Sequence, residues 1–341
     1  GVEVMRQMIE TNKRLPIILI SGFDQGVMHS AEQLANAYSL DIIATIAKPI
    51  GFSDFSDLLQ KNSINKKHIN AKEKFQIDAK ELENAINQGQ LVLHYQPQVK
   101  ICNGELTGVE ALVRLEHPEH GLIYPEMFVE LAERTHLIKD LTEHVITQAI
   151  NQALYWKSQH LNLQISLNIS ADNITSLSLP EQLSTMLKKH SLDPSRLTLE
   201  VTESALMGKL ITSLDILTRL RLKGIELSID DFGTGYSSLS QLYRMPFTEL
   251  KVDQSFVINM INDDEASGIV KTCIMLGHEL NMLVVAEGVE NIETLERLSS
   301  LGCDIAQGYY IAKPMPAEEL IPWIKKRGLN FNILGQIPGP L

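Results

Sequence analysis

The stretch SIDDFGTGYSSL, Ser228 to Leu239, sets two aspartates side by side where an apolar run (Ile225, Leu227, Ile229) gives way to a glycine-rich loop. Taken alone it reads as a turn, because Asp and Gly are both common where strands end. The surrounding pattern changes that reading. From about residue 90, apolar strand-like runs alternate with helical stretches. The runs are LVLHYQPQV, LTGVEALVRL, LQISLNIS, LTLEVTE, IELSIDD, TELKVDQ, MLVVAEGV and DIAQGYY. Between most of them lie amphipathic segments such as LPEQLSTMLKKH, ITSLDILTRLRLKG and EASGIVKTCIMLGHEL. Asn291 stands where an N-cap belongs, and Gly224 and Gly302 where C-terminal glycines belong. Eight strands with helical crossovers over roughly 240 residues predict an α/β fold, a (β/α)8 TIM-like barrel. The first two runs are joined by a short turn, KICNGE, so the barrel is expected to start irregularly, with a hairpin.

The polar residues fall in a pattern. Glu110, Asn168, Glu200, Asp230 with Asp231, Lys251, Glu287 and Gln307 each lie near the C-terminal end of a different predicted strand. In this fold those ends share one mouth, where active sites are built. The acids and the amide Asn168 form an all-oxygen set without His or Cys, which suits Mg²⁺ or Mn²⁺ better than zinc. Carboxylates so crowded need a counter-ion, and two divalent metals supply it. At a frayed strand end both aspartates can turn to one side, Asp230 bridging two metals and Asp231 binding the second. Metals about 3.5–4 Å apart suit phosphodiester hydrolysis. Lys251 would orient the attacking water or stabilise developing charge, and Arg114 can reach a phosphate as a guanidinium fork. The G-x-G-x-x-S of the loop follows the fifth run and lacks a spaced acidic partner, so it is not a dinucleotide fingerprint.

Bulk composition fits this reading. The 341 residues are 44% hydrophobic and 21% charged, with net charge −12. That balance argues against nucleic acid or an anionic membrane as partner. Cys102, Cys273 and Cys303 form no CxxC pair, so free thiols and a cytoplasmic, reducing compartment are expected. No apolar run spans a bilayer and no signal peptide is visible. The first residue is Gly rather than Met, and upstream sequence is expected to be missing. The N-x-S/T matches at Asn168 and Asn173 carry no weight without secretion. His117 and His120 sit in LEHPEHG, expected to be a solvated loop rather than a metal site, while Tyr155 and Trp156 have the spacing of packing residues.

Residues 1–60 alternate helix, strand, helix, strand, helix: VEVMRQMIE, LPIILISG, SAEQLANAYSL, IIATIAKPI and FSDFSDLLQKN. This is one half of a doubly wound sheet. With Ser21 after the first strand and Lys48-Pro49 after the second, it resembles the C-terminal half of a response-regulator receiver domain. The strand that would carry a phosphoacceptor is absent. Residues 61–79 are polar and lysine-rich and read as a linker. The barrel is expected over 80–326, with a tail at 327–341.

The barrel motifs carry a second resemblance. EALVR (Glu110–Arg114), HYQPQV, LNIS, LEVTES, DDFGTGYSSL, LKVDQSF, AEGVE and QGYYIAKPMP occur in order between about 80 and 325. They are similar to the EAL-domain proteins, the cyclic-di-GMP phosphodiesterases. The resemblance implies hydrolysis of cyclic di-GMP to linear pGpG with two Mg²⁺ or Mn²⁺ ions, and inhibition by Ca²⁺. It implies Glu110, Asn168, Glu200 and Asp230 at the first metal, and Asp230, Asp231 and Glu287 at the second. It places Lys251 beside the nucleophilic water and Gln96, Leu112, Arg114 and Gln307 at the substrate. Glu290 and Asp253 match further functional positions, and Glu203 a glutamate that steadies the DFGTGYSS loop. A homodimer is implied, as is an upstream sensor kinase for a response regulator with this output. The main alternative is a module that binds cyclic di-GMP without cutting it. Such modules usually lack a metal ligand or the lysine, and here all are present; a barrel enzyme acting on another phosphodiester is a second alternative, and a scaffold is disfavoured by the converging carboxylates.

Overall fold

The computed structural model describes residues 2–10, 17–22, 31, 34, 35, 38, 40, 42–48, 77–206, 210–234 and 239–327. The chain divides into two compact units, Gly1–Gln76 and Ile77–Leu341.

In the first unit, α1 (Val2–Glu10) precedes β1 (Ile17–Ser21) and β2 (Ile42–Ala47), which pair in parallel with Leu19 opposite Thr45 and Ile20 opposite Ile46. Both strands are the apolar runs expected. Met5, Ala35 and Leu40 form a small core, with Met8, Ile17, Leu19 and Ile42 packed on it. The Ser21 side chain, Pro49, the helix expected over FSDFSDLLQKN and the lysine-rich stretch 61–76 lie outside the described residues.

The second unit opens with α2 (Ala79–Asn87). Asp78 caps it, accepting a hydrogen bond from Glu81 N at 2.8 Å, and the Glu81 side chain reaches back to the Asp78 amide. This reciprocal box satisfies two helix-end donors at once. There follow β3 (Leu91–Lys100), β4 (Leu106–His117) and the short β5 (Gly121–Ile123). Next come α3 (Val129–Arg134), α4 (Ile138–Ser158), β6 (Gln164–Asn168), α5 (Leu179–His190), β7 (Leu197–Thr202) and α6 (Leu210–Leu222). The chain continues with β8 (Glu226–Phe232), α7 (Leu239–Leu242), β9 (Glu249–Val252), α8 (Gln254–Asn259) and α9 (Asp264–Glu279). It closes with β10 (Leu283–Ala286), α10 (Ile292–Ser300), β11 (Ile305–Ala306), β12 (Met315–Pro316) and α11 (Ala317–Arg327).

All eight predicted strands form, and they close a ring in the order β3, β11, β10, β9, β8, β7, β6, β4 and back to β3. The predicted hairpin is there: β3 runs antiparallel to both of its ring neighbours, β4 and β11, and the other neighbours pair in parallel. Alternation along the strands explains the packing. On β9, Leu250 and Val252 are fully buried on one face while Lys251 is buried on the other. The helix α9 packs on β9 and β10. Most of the buried polar residues lie on the ring strands, among them Gln96, Gln98, Glu110, Ser166, Thr198, Glu200, Ser228, Asp230, Glu249 and Lys251. The helices sit on an apolar outer face, and the barrel lumen is polar.

Four expectations change. β8 does not fray at its aspartates but runs on to Phe232 through a register break, with Asp231 at φ 54°. β4 continues seven residues past Glu110, because beyond Ala111 it pairs with β3 and β5 in place of β6. His117 is buried at the end of β4, not solvated. Its Nδ1 accepts from the Glu119 and His120 amides at 3.1 Å, so Nε2 carries the proton toward Glu81 Oε1 at 2.9 Å. That bond ties β4 to α2. Trp156 is fully buried edge-on to Tyr95, whereas Tyr155 is exposed, because consecutive helix positions face different directions. The last helix reaches Arg327; residues 328–341 lie outside the described residues.

Candidate active site

Ladder register brings the acids together. Glu110 stands opposite Ser166 on β6, and Asn168 opposite Glu200 on β7. Thr202 stands opposite Asp230, and Lys251 opposite Val285, two residues before Glu287. The centre is Lys251. Its ammonium is completely buried and lies 2.7 Å from both Glu200 Oε2 and Glu287 Oε1, 3.3 Å from Asp230 Oδ1 and 3.6 Å from Glu110 Oε2. A buried ammonium is costly unless paired, and this one has four carboxylates. Burial works to lower the Lys251 pKa, but Asp230, Glu110, Glu200 and Glu287 outweigh it and hold the group well above its usual value. Lys251 stays charged.

The carboxylates divide. Burial also works to raise Glu110, yet Lys251 and hydrogen bonds from Gln307 and Asn168 hold it below its ordinary range. Asn168 Nδ2 donates to Glu110 Oε1 at 2.9 Å. Burial and the Glu110 charge push Glu200 well upward. Burial lifts Glu287 to about 8. Burial and the neighbouring Asp230 and Asp253 charges lift Asp231 to about 6. The left-handed backbone at Asp231 breaks strand alternation, and it explains how adjacent aspartates share a side. Carboxylate oxygens of Asp230, Asp231 and Glu287 lie within 4.8 Å of one another.

Amides frame the acids. Gln98 Nε2 donates to Gln307 Oε1 at 2.9 Å, and Gln307 Nε2 donates to Gln96 Oε1 at 3.0 Å and to Glu110 Oε2. Gln96 Nε2 in turn donates to Ala312 O at 3.0 Å. Above this floor a cleft of about 450 Å³ is lined by Gln96, Glu110, Leu112, Arg114, Asp230, Glu287, Glu290 and Gln307. Eight of the residues singled out in the sequence thus share one cavity, with Lys251 and Glu200 directly beneath. Glu203 stands to one side and accepts from the Gly233 amide at 3.3 Å, at the start of the glycine loop; residues 235–238 lie outside the described residues. Asp253 is not brought into the lining. Its carboxylate caps α8, accepting from Ser255 N at 3.0 Å and from the Ser255 hydroxyl.

Sequence reading missed Gln98, Glu126, Gln254 and Tyr309. Gln98 was visible in principle, since QPQ places two amides on one face of β3. The other three line the cleft from residues beyond strand ends, where no periodicity marks them.

The donor set suits hard divalent cations. Four carboxylates face the Lys251 ammonium, Asp231 stands beside two of them, and Glu200 Oε1 is buried without any hydrogen-bond partner. An orphaned buried carboxylate oxygen is costly, and a cation would satisfy it.

Fold and mouth together define a (β/α)8-type barrel protein with an acidic, all-oxygen site at the C-terminal ends of its strands. Residues 79–314 match the family described as EAL domain, and the chain belongs to that family. It is 46% identical over 255 residues to the bifunctional diguanylate cyclase/cyclic di-GMP phosphodiesterase MucR of Pseudomonas aeruginosa, covering 74% of this chain and 37% of MucR. It is 38% identical over 261 residues to the cyclic di-GMP phosphodiesterase NbdA of the same organism, covering 75% of this chain and 33% of NbdA. A solved structure described as the PaMucR phosphodiesterase in complex with c-di-GMP aligns with a TM-score of 0.68 at 46% identity, covering 70% of this chain and 98% of that chain. The chain spans about a third of the length of these curated relatives. No helix among the described residues is long and apolar enough to cross a membrane.

Proposed function

We propose that the chain hydrolyses cyclic di-GMP to linear pGpG. The observation that carries this is the convergence of Glu110, Glu200, Asp230 and Glu287 on the buried Lys251 at the floor of an open cleft. The names of its relatives supply the substrate class. Glu110, Asn168, Glu200 and Asp230 would hold one Mg²⁺ or Mn²⁺ ion, and Asp230, Asp231 and Glu287 a second. Bound ions of this kind supply Lewis acidity toward a phosphodiester. Lys251, fixed by four carboxylates, offers an N–H to the attacking water or to charge building on the phosphate. Arg114 is set for a phosphate oxygen. Leu112 gives a base an apolar wall, Gln96 and Gln307 orient the polar edge of the substrate, and Glu290 stands at the rim. Glu203 steadies the loop after Asp231, and Asp253 acts by fixing α8 beside it. Calcium, which accepts larger and looser shells, is expected to inhibit.

We read residues 1–60 as receiver-like, 61–79 as a linker and 80–326 as the output of a response regulator, in a longer protein served by a sensor kinase. Leu239 at the start of α7 and Tyr243 just past its end are large exposed apolar side chains close behind the glycine loop, which supports the homodimer expectation. The test of function is a turnover assay with cyclic di-GMP and Mg²⁺, the product resolved chromatographically. Linear pGpG that disappears with chelator and in Asp230→Asn supports the assignment. Retained binding without product makes the chain a sensor. Product from another phosphodiester alone moves the substrate class.

A further inference from the structure

Arg114 is a buried cation, 6% exposed, that lines the cleft. Its Nη1 donates to the Val113 carbonyl at 2.8 Å, and its Nε has no partner. Among the described residues no carboxylate lies within ion-pair distance of it. Its guanidinium carbon instead sits 4.9 Å from the centre of the Tyr124 ring. The register explains why. β4 and β5 pair with Leu115 opposite Ile123 and His117 opposite Gly121. One step further along that antiparallel ladder, Arg114 faces Tyr124, and directly opposed residues share a side of the sheet. Pro125 follows Tyr124 and favours extended backbone at it, which is observed at φ −88° and ψ 155°. Tyr124 is 53% exposed, so its ring is not buried in the core. It covers the guanidinium.

We propose that Tyr124 is a positioning residue for Arg114: a cross-strand aromatic lid that fixes the guanidinium in the cleft for a phosphate oxygen of the substrate. The inference rests on the phosphodiesterase reading above. A planar fork held against a ring loses little freedom when it meets an anion, and cation–π attraction needs the ring, not the hydroxyl. Tyr124 touches Arg114 and takes no part in the Lys251 ion pairs, so its loss acts on substrate binding.

The experiment measures KM, kcat and melting temperature with cyclic di-GMP and Mg²⁺ for wild type, Tyr124→Ala, Tyr124→Phe, Arg114→Ala and the Tyr124→Ala/Arg114→Ala pair. Tyr124→Ala is expected to raise KM roughly fivefold, the factor an exposed-to-desolvated cation–π contact is worth, with kcat little changed. Tyr124→Phe should restore the wild-type KM. In the Arg114→Ala background, Tyr124→Ala should add nothing. Where Arg114→Ala turns over too slowly to fit, the same cycle is read from cyclic di-GMP dissociation constants by calorimetry. An unchanged KM in Tyr124→Ala, a Phe variant as weak as Ala, or an equal penalty in both backgrounds overturns the proposal while leaving the phosphodiesterase reading intact. A wild-type chain that neither binds nor cuts cyclic di-GMP overturns both.

Discussion

Lys251 is the residue on which the site turns. It is buried among the mouth carboxylates, and four of them lie within 3.6 Å of its ammonium. Lys251→Met leaves those acids uncompensated. Turnover is expected to fall at least about a hundredfold, the scale of losing one preorganised donor. In chelator-treated protein the same change should lower stability by roughly 3–5 kcal/mol, the usual cost of breaking a buried pair. An unchanged kcat would remove Lys251 from the chemistry. The acids make a pH prediction. Asp231 and Glu287 have folded pKa values raised to about 6 and about 8, chiefly by burial. Raised carboxyl groups hold protons that the unfolded chain releases, so their contribution is complete in acid and is lost as pH rises through those values. Metal-free protein should therefore melt lower at about pH 9 than at about pH 5. Added Mg²⁺ should raise the melting temperature more at the alkaline end, because ligation requires deprotonated carboxylates. A metal-free melting temperature that climbs across this window contradicts the assignment. The acids themselves were legible from sequence, since a charge after an apolar run is a local signal. The role of Tyr124 was not, because it depends on a cross-strand partner.

At the scale of elements, two backbone irregularities decide the geometry. The first is the register break in β8, which puts Asp231 in the left-handed region. Sequence marked the aspartates but assigned their shared direction to fraying; a bulge is a property of the pairing with β9, which a single strand does not reveal. The second is the turn after β11. Val289 N donates to Gln307 O at 3.0 Å, and Tyr310 N donates to Val289 O at 2.9 Å. Gly308 lies between, with the Val289 backbone so near that a Cβ would run into it. Gly308→Ala should destabilise the protein by about 1–3 kcal/mol and displace Gln307 from Glu110. Thermal melting and kcat together check this; a variant with wild-type melting and turnover would show that the turn is not a constraint. The place of Glu110 in the middle of β4, rather than near its end, was equally hidden, since the partner of β4 changes along its course from β6 to β5.

At the scale of the molecule, the eight strands could be read because each is an apolar run set off from the helical stretches around it. Closure could not be read. It depends on β3 entering antiparallel between β4 and β11. The two units have separate cores. A fragment beginning at Ile77 is thus expected to fold and to keep kcat within about twofold of the whole chain, as a unit with its own core should. Loss of activity in a folded fragment would place part of the catalytic requirement in residues 1–76. The central claim is that carboxylates from distant strands gather to hold paired divalent ions. Anomalous diffraction from crystals soaked in Mn²⁺ tests it most directly. The account predicts two manganese peaks at the barrel mouth, one among Glu110, Asn168, Glu200 and Asp230 and one among Asp230, Asp231 and Glu287. A map with no peak there, at Mn²⁺ concentrations that support turnover, would contradict it.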